Sequence, residues 1–404
     1  MDSNNRVAKL IFVEGNSNKN KFYNMTLSGD VLTCEYGRVD STKQTVTYAA
    51  REWDKKYSEK MKKGYEDVTH LFKTIVADSQ NQNSLTKISD SEVEKMISKL
   101  MSYANTQISA NYNVSSKSVT QLQIDQAQSL INSIAGMIGG SVSELNSKLE
   151  SLFKVIPRKM KKVSDYLIPT DNSASGRSSE EEAKRIIQEE QILLDTMAAK
   201  VSMDLTGNNT NSNSDETLLD TIGISMTVVT SAEEKMLKDL LGDCKNKYSK
   251  AFAVTSEKTT KAFNGKLDNK ALLFHGSRNE NIISIMKTGL LIRPASAVYT
   301  GSMFGDGIYF ANKARKSLGY TSLKNSYWTK GNSDCGYMIV FEVALGNQKH
   351  IHKHTSACSR LSKKSLSSEG YDSVFAHKGA DLLNDELVIY DGSQCNIKYL
   401  IELN

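Results

Sequence analysis

Three short segments in the last third of the chain each set one polar or aromatic side chain inside an apolar, strand-like run. They are Phe274-His275-Gly276-Ser277-Arg278, Gly307-Ile308-Tyr309-Phe310-Ala311 and Asp385-Glu386-Leu387-Val388-Ile389-Tyr390. Side chains alternate across a strand, so His275, Tyr309 and Glu386 are expected to project from neighbouring strands onto one face of a shared cleft. None of the three has the spacing of a metal site or of an activated nucleophile. Together these residue types can hold a polar ligand by hydrogen bonds, stack on a planar ring and set a carboxylate against positive charge.

Two further patterns invite chemistry and carry less. His350, His352 and His354 alternate and would share a strand face, as metal ligands can, but no Cys, Asp or Glu is interleaved with them. They read as a polar strand end or loop, and no metal is expected. Glycines 301, 305 and 307 are followed by no strand-turn-helix unit, so they do not form a dinucleotide fingerprint.

The elements that must position these residues are bounded by composition. A chain of 404 residues has the length of two or three domains, and 39% hydrophobic residues allow each to bury a core. The net charge of +5 is small for this length and permits a nucleic-acid partner without demanding one. Residues Met1 to Asn5 show no charged-then-apolar leader, and no window approaches the ~18 apolar residues of a membrane span, so neither secretion nor membrane insertion is expected. Cys34, Cys244, Cys335, Cys358 and Cys395 form no CxxC pair and read as reduced thiols of an intracellular compartment. Polar stretches at 78–84 and 206–214 divide the chain into three expected domains, residues 1–80, 86–204 and 215–404, while a third stretch at 170–179 reads as a loop between helices.

In the first domain, residues 7–13, 21–27 and 31–39 read as antiparallel strands. From Tyr48 to Lys63, Ala49, Trp53, Tyr57 and Met61 recur at every fourth position, the apolar stripe of a helix whose other face carries Arg51, Lys55, Lys56, Lys62 and Lys63. Arg38 and these lysines could neutralise phosphates while Tyr36 offers a face for stacking; the alternative is a core Tyr36 and an ordinary solvated lysine face. The middle region repeats apolar residues at three and four over 92–100, 122–134, 142–155 and 185–201, which predicts a helical bundle with Ser141 or Ser143 as a cap. Its basic run Arg158-Lys159-Met160-Lys161-Lys162 reads as solvated charge, with phosphate contact as the alternative.

The three opening segments are joined in chain order by Lys316-Ser317, Tyr320, Glu342-Val343-Ala344-Leu345-Gly346-Asn347 and Asn396-Ile397-Lys398-Tyr399-Leu400. This set resembles the His-Tyr-Glu catalytic domain of the poly(ADP-ribose) polymerase family. Tyr36-Gly37-Arg38 resembles the Trp-Gly-Arg signature of the WGR domain, with Tyr in place of Trp. Leu149 to Pro157 and Leu193-Leu194-Asp195 resemble the family's regulatory helical domain, with Gln191 where a second acidic residue is expected. The resemblance implies a multidomain α+β protein. Its parts are a small antiparallel sheet-plus-helix WGR-like domain, an all-α helical bundle, and a mixed α+β ADP-ribosyltransferase domain with split antiparallel sheets.

The same resemblance implies an enzyme that cleaves the nicotinamide–ribose bond of NAD+ and transfers ADP-ribose to proteins, itself included, and to growing chains. NAD+ is then the substrate. DNA breaks or ends would activate the enzyme, and the helical domain, through helix 185–201, would restrain it. Glu386 would accept a hydrogen bond from the ribose 2′-hydroxyl, oppose the developing charge and orient the incoming hydroxyl. His275 would hold the adenosine ribose, Gly276 would read the nicotinamide amide through its backbone, and Ser317 would complete that clamp. Tyr309 and Tyr320 would sandwich the nicotinamide ring; Ser277 and Arg278 would lie along adenosine and pyrophosphate, and Lys316 toward the ribose or acceptor. Leu291 and Ser302 stand where relatives carry Arg and Tyr, with Arg293 nearby. Tyr36, Gly37 and Arg38 would meet nucleic acid, in a nucleus if the cell has one and otherwise in cytoplasm. Two other readings stay open: mono-ADP-ribosylation of protein or of nucleic-acid ends, and a non-catalytic nucleic-acid-binding scaffold, against which intact His275, Tyr309 and Glu386 argue.

Overall fold

A computed structural model describes residues 5–72, 90–114, 116–170, 178–206, 218–290, 292, 303–305, 307–379 and 381–404. The polar stretches 78–84 and 207–214, most of 170–179, and Leu291, Arg293 and Ser302 lie outside them. The chain forms two compact units, one of residues 1–82 with 106–201 and one of residues 83–105 with 202–404. Among the described residues no helix is long and apolar enough to cross a membrane. All five cysteines are buried free thiols.

The first unit opens with β1 (Arg6–Glu14), β2 (Lys19–Ser28), β3 (Val31–Arg38) and β4 (Gln44–Ala49), then α1 (Trp53–Lys62) and the short β5 (Glu66–Asp67), in an antiparallel sheet of order β4-β3-β2-β1-β5. Alternation buries Ala8, Leu10, Tyr23, Met25, Leu27, Leu32 and Cys34 on one face, and Trp53 of α1 closes over them. The helix expected from Tyr48 begins only at Trp53, because residues 44–49 pair with β3. Thr45, Val46, Thr47 and Tyr48 are β-branched or aromatic, and a strand edge was there to receive them. Ala49 is accordingly an exposed strand residue, and Met61, at the helix end, is 39% exposed rather than core.

Four helices follow: α2 (Ser91–Asn111), α3 (Gln121–Ala135), α4 (Val142–Val155) and α5 (Ser179–Thr206). A capping box between Thr120 and Gln123 starts α3. Ser141 takes the N-cap position of α4 but makes no side-chain capping bond. The first part of α2 belongs to the second unit, where Val93, Met96, Ile97, Leu100 and Ala104 are buried. Within the first unit, Asn20 donates to the Arg158 carbonyl at 2.8 Å, Asn18 accepts from the Val163 amide at 2.9 Å, and Glu150 accepts from the Gly15 amide at 2.7 Å. Sheet and helices are thereby one body.

Arg158 departs most from expectation. It is not solvated: its side chain is 4% exposed and pairs at 2.9 Å with Glu190, itself 6% exposed. Its Nη1 donates to the Asn111 carbonyl at 3.0 Å and to Asn111 Oδ1 at 2.7 Å, and the rings of Tyr112 and Tyr166 lie 5.3 and 5.2 Å from the guanidinium. A charge so far from water persists because a carboxylate, an amide and two π-faces replace hydration together.

The second unit holds two sheets. The larger takes β6 (Ile224–Val228), β7 (Tyr248–Ser256), β8 (Lys270–Ser277), β10 (Gly336–Ala344) and β14 (Cys395–Leu403) in the order β6-β7-β14-β10-β8. The smaller takes β9 (Ile308–Phe310), β11 (Gln348–Ile351), β12 (Ser373–Ala376) and β13 (Glu386–Ile389) in the order β11-β12-β13-β9, antiparallel except for the parallel pair β11–β12. Phe252, Leu273, Phe310, Phe341, Leu387 and Ile389 belong to one core shared by the two sheets. Leu237 and Leu241 of α7 (Ser231–Leu241) pack with Phe274, Met338, Val340 and Ile401 in a second core. β10 is buried along nearly its whole length, which is why its sequence reads as a continuous apolar run. The sheets touch where the Phe274 amide donates to the Ala311 carbonyl at 2.9 Å and the Ala311 amide returns the bond at 3.0 Å.

The buried ion pair gives a direct test. Glu190→Gln is expected to lower the stability of the first unit by about 3–5 kcal/mol in urea unfolding, since the guanidinium keeps its charge and loses its counter-ion. Lys162→Gln, which breaks a pair exposed to 66% and 62%, is expected to cost less than about 1 kcal/mol. Equal effects would contradict the assignment.

Candidate active site

β8 brings His275 in on a strand whose Leu273 and Phe274 are buried. Its Nδ1 lies 3.2 Å from the Tyr309 carbonyl. A carbonyl only accepts, so Nδ1 carries the proton and Nε2 presents a lone pair. Burial lowers the imidazole pKa below its ordinary value, against the pull of the Tyr309 carbonyl, which keeps the ring neutral near pH 7. The next residue must be glycine: a Cβ on Gly276 would stand 1.9 Å from the Ser317 carbonyl oxygen. That closeness seats α10 (Ala314–Leu318) against β8, where the buried Ser317 hydroxyl donates to the Phe274 carbonyl at 3.1 Å.

Across the junction, Tyr309 pairs with Val388, and Glu386 lies two residues from Val388 on the same strand. Period two therefore gives Tyr309 and Glu386 one face of the smaller sheet. His275 does not share it. Its ring meets Phe310 and Phe341 edge-on at 6.1 and 6.3 Å, in line with residues facing the core between the sheets, while the Tyr309 carbonyl holds its Nδ1. The single-face expectation fails for His275 because Phe274, not His275, pairs with Ala311.

The Tyr309 hydroxyl donates to the Gly305 carbonyl at 2.8 Å and accepts from the Phe304 amide at 3.0 Å. Tyr390 donates to the Phe304 carbonyl. Gly305 has φ +78°, and a Cβ there would lie 2.1 Å from the Leu361 carbonyl oxygen, so two tyrosines and a glycine hold this turn against the sheet.

Glu386 is the chemical centre of the cleft. Its side chain is 12% exposed, and Oε1 is paired with Lys316 Nζ, whose ammonium also donates to the Asp385 carbonyl at 3.2 Å. Burial lowers the Lys316 pKa, with the Glu386 charge pulling the other way. Oε2 is buried and has no hydrogen-bond partner among the described residues. Sequence reasoning gave Asp385 no role. Its carboxylate accepts from the Lys378 amide at 2.9 Å and from Asn312 Nδ2 at 3.2 Å, and these bonds, against burial, hold its pKa below the ordinary range. Asp385 thus fixes the turn that delivers Glu386.

Tyr320 is 39% exposed, and burial together with the Glu386 charge raises its phenol pKa, which places ring and carboxylate in one neighbourhood. Trp328 stacks on it at 6.0 Å and 20°. No sequence signal singled out Trp328, which sits in a polar loop. Ser277 accepts from Asn281 Nδ2 at 3.2 Å, and Arg278 is exposed.

His350 and His352 meet His377, a residue the spacing argument had not included: His350 Nδ1 lies 2.8 Å from His377 Nε2, and His352 stacks on His377 at 4.1 Å. His354 turns away to the Met303 carbonyl at 2.9 Å. Among the described residues no group of three or more His, Cys, Asp or Glu is placed to hold a metal ion.

In the first unit, Tyr36 is half-buried and stacks on Tyr23 at 5.6 Å, and Lys60 lies 4.0, 5.5 and 5.9 Å from the rings of Tyr23, Tyr65 and Tyr36. Arg38, expected to face phosphate, is engaged internally: it pairs with Asp40 at 3.0 Å and donates to the carbonyls of Asn18, Met160 and Lys161 at 2.8, 2.6 and 2.7 Å. Gly37 sits between Tyr36 and Arg38 on β3 without steric demand, since a Cβ there would lie at an ordinary contact distance of 3.4 Å from the Thr42 carbonyl oxygen.

Residues 231–404 match the family of the poly(ADP-ribose) polymerase catalytic domain, and residues 7–71 match the WGR domain. An uncharacterized protein 101L of Invertebrate iridescent virus 6 is 34% identical over 203 residues, 50% of this chain and 80% of that protein. A putative poly [ADP-ribose] polymerase-like protein 100L of the same virus is 31% identical over 167 residues, 39% of this chain and 87% of its own. The poly [ADP-ribose] polymerase of Drosophila melanogaster is 36% identical over 162 residues, which are 34% of this chain but only 16% of that much longer protein.

Two measurements check the local geometry. Gly276→Ala is expected to lower unfolding free energy by about 1–3 kcal/mol, because α10 must shift; an unchanged value would contradict the close approach. Since the His275 pKa is lowered in the folded state, its contribution to stability is full above about 6.5 and declines as pH falls from there toward the folded value. His275→Asn should flatten that part of the stability–pH curve, and an unchanged slope would refute the burial argument.

Proposed function

The chain belongs to the poly(ADP-ribose) polymerase family, and from that membership together with the chemistry of its cleft we propose that it builds ADP-ribose chains on protein acceptors in response to DNA breaks or ends. That it is an NAD+ ADP-ribosyltransferase follows from the family itself. The observation that supports transfer in this cleft is the second oxygen of Glu386: buried and without a hydrogen-bond partner among the described residues. A buried acceptor left unmatched costs about 1–3 kcal/mol, a cost relieved when a substrate hydroxyl donates to it.

In this reading the C1′–N bond of the nicotinamide ribose breaks with its electron pair going to the ring nitrogen, so neutral nicotinamide leaves. The Glu386 carboxylate accepts from the ribose 2′-hydroxyl and opposes positive charge on the sugar. An acceptor hydroxyl then bonds to C1′ and gives up its proton to Glu386 or to water. Lys316, fixed between Glu386 and the Asp385 carbonyl, orients the carboxylate. Neutral His275 offers Nε2 to a ribose hydroxyl, Gly276 its backbone and Ser317 its hydroxyl to the carboxamide. Tyr309 and Tyr320 flank the ring, while Ser277 and the exposed Arg278 lie along the adenosine and pyrophosphate.

For the trigger, the first unit supplies a WGR domain carrying the exposed cations Arg51, Lys55, Lys62 and Lys63. Arg38 supports a different use from the one first expected. Bound to the backbone of Met160 and Lys161, it couples the sheet to the helical segment instead of meeting phosphate.

Labelled NAD+ with and without nicked DNA separates the alternatives. Ladders that depend on DNA are expected, and Glu386→Gln should reduce them about 100- to 1000-fold, the usual effect of deleting one preorganised charge-stabilising group. Single additions in the wild type would overturn the polymer reading, and unchanged ladders in the variant would overturn the role of Glu386.

A further inference from the structure

Trp328 is 59% exposed, yet the loop between Tyr320 and β10 holds it in one place. Its amide donates to the Gly319 carbonyl at 3.0 Å and the Thr329 amide to the same oxygen at 3.3 Å, so the loop turns back on the residue that precedes Tyr320. Further along, the Lys324 amide donates to the Ser333 carbonyl at 2.8 Å, the Ser333 amide to the Ser322 carbonyl at 3.0 Å and the Ser326 hydroxyl to the Leu323 carbonyl at 2.6 Å. A Cβ on Gly331 would lie 2.3 Å from the Leu323 carbonyl oxygen, so the loop closes on itself as tightly as backbone allows.

What this indole meets is the phenol of Tyr320. The two rings lie 6.0 Å apart at 20°, an offset stack. A Cβ on Gly319 would stand 3.0 Å from Trp328 Cδ1, closer than side-chain carbons ordinarily approach, so the residue before Tyr320 leaves its side-chain space to the indole. Tyr327 stands edge-on to the indole at 4.7 Å and 89°, which braces it without adding a third parallel ring. Tyr320 itself is 39% exposed. A phenol so open to water samples several orientations, and a ligand that stacks on it must then immobilise it at a cost to affinity. With Trp328 against one face the ring is ordered in advance, and a planar ligand can stack only on the other.

We infer that Trp328 is a positioning residue for NAD+ cleavage that acts through Tyr320: it holds the phenol in the orientation that receives the nicotinamide ring, and so sets how tightly that ring is bound. The inference rests on the reading of Tyr320 as one wall of the nicotinamide site. The stack touches the ring both before and after its bond to ribose breaks. Trp328 therefore contributes alike to binding of NAD+ and of free nicotinamide, and its loss raises KM while leaving kcat in place.

Two measurements on the full chain test this: the initial rate of nicotinamide release from NAD+ with nicked DNA present, and the Kd of free nicotinamide by calorimetry. Trp328→Ala is expected to raise the KM for NAD+ and the Kd of nicotinamide in parallel, each about three- to tenfold, the effect of losing one aromatic pair, with kcat within about twofold of the wild type. Trp328→Phe should restore most of the difference. In a Tyr320→Ala background the Trp328→Ala substitution should change KM by less than about twofold, since the group through which it acts is gone. The inference is overturned if Trp328→Ala leaves KM and Kd unchanged, if it lowers kcat alone, or if its full effect persists without Tyr320. Should Tyr320→Ala by itself leave both constants at their wild-type values, the placement of nicotinamide against Tyr320 falls with it; if Trp328→Ala alone is silent, that placement stands.

Discussion

Glu386 is held by a division of labour between its two oxygens. One is committed to Lys316 in a nearly dry ion pair, and the other is buried with no partner among the described residues. A carboxylate so placed has a fixed direction and an unspent capacity to accept a hydrogen bond, which is the condition for stabilising charge that appears only during reaction. Much of the second unit serves that condition. The Phe274–Ala311 backbone pair brings the sheets together, Gly276 allows α10 close enough for Lys316 to arrive, and Asp385 ties the preceding turn to Lys378 and Asn312.

The first unit follows the same economy of polar groups. Arg158 and Arg38 both read in sequence as basic residues open to solvent or phosphate, yet both are turned to carbonyls and carboxylates of this unit. Each fastens elements distant in the chain: Arg158 joins Asn111 to Glu190, and Arg38 joins the β1–β2 turn to the segment after α4. Basic residues of this unit thus serve in two ways, solvated at Lys55 and Lys162 and tied to internal partners at Arg158 and Arg38, according to burial and not to charge type.

What the sequence reveals follows the range of its signals. Period-two runs around His275, Tyr309 and Glu386 are local, so strand identity is legible in them; the side to which His275 turns is not, because it depends on which residue of β8 pairs across the sheet junction. The stripe from Tyr48 reads as helix because Ala49 and Trp53 fit a helical period as well as a strand end, and only the β3 edge decides. Glu190 lies 32 residues beyond Arg158, outside any window that a charge run can report. Trp328 escaped notice because a single aromatic residue in a polar loop has no periodic neighbour. His377 joins the other histidines only through the β11–β12 pairing.

The central claim is that the unpartnered oxygen of Glu386 receives the 2′-hydroxyl of the nicotinamide ribose. It is tested most directly by the rate of nicotinamide release from NAD+ and from an analogue lacking that hydroxyl, each with wild-type protein and with Glu386→Ala, as a thermodynamic cycle. Removing the hydroxyl should slow the wild type by about 100-fold or more and the variant hardly at all, since the partner is already gone. Equal discrimination by both proteins would place the hydroxyl elsewhere and contradict the account.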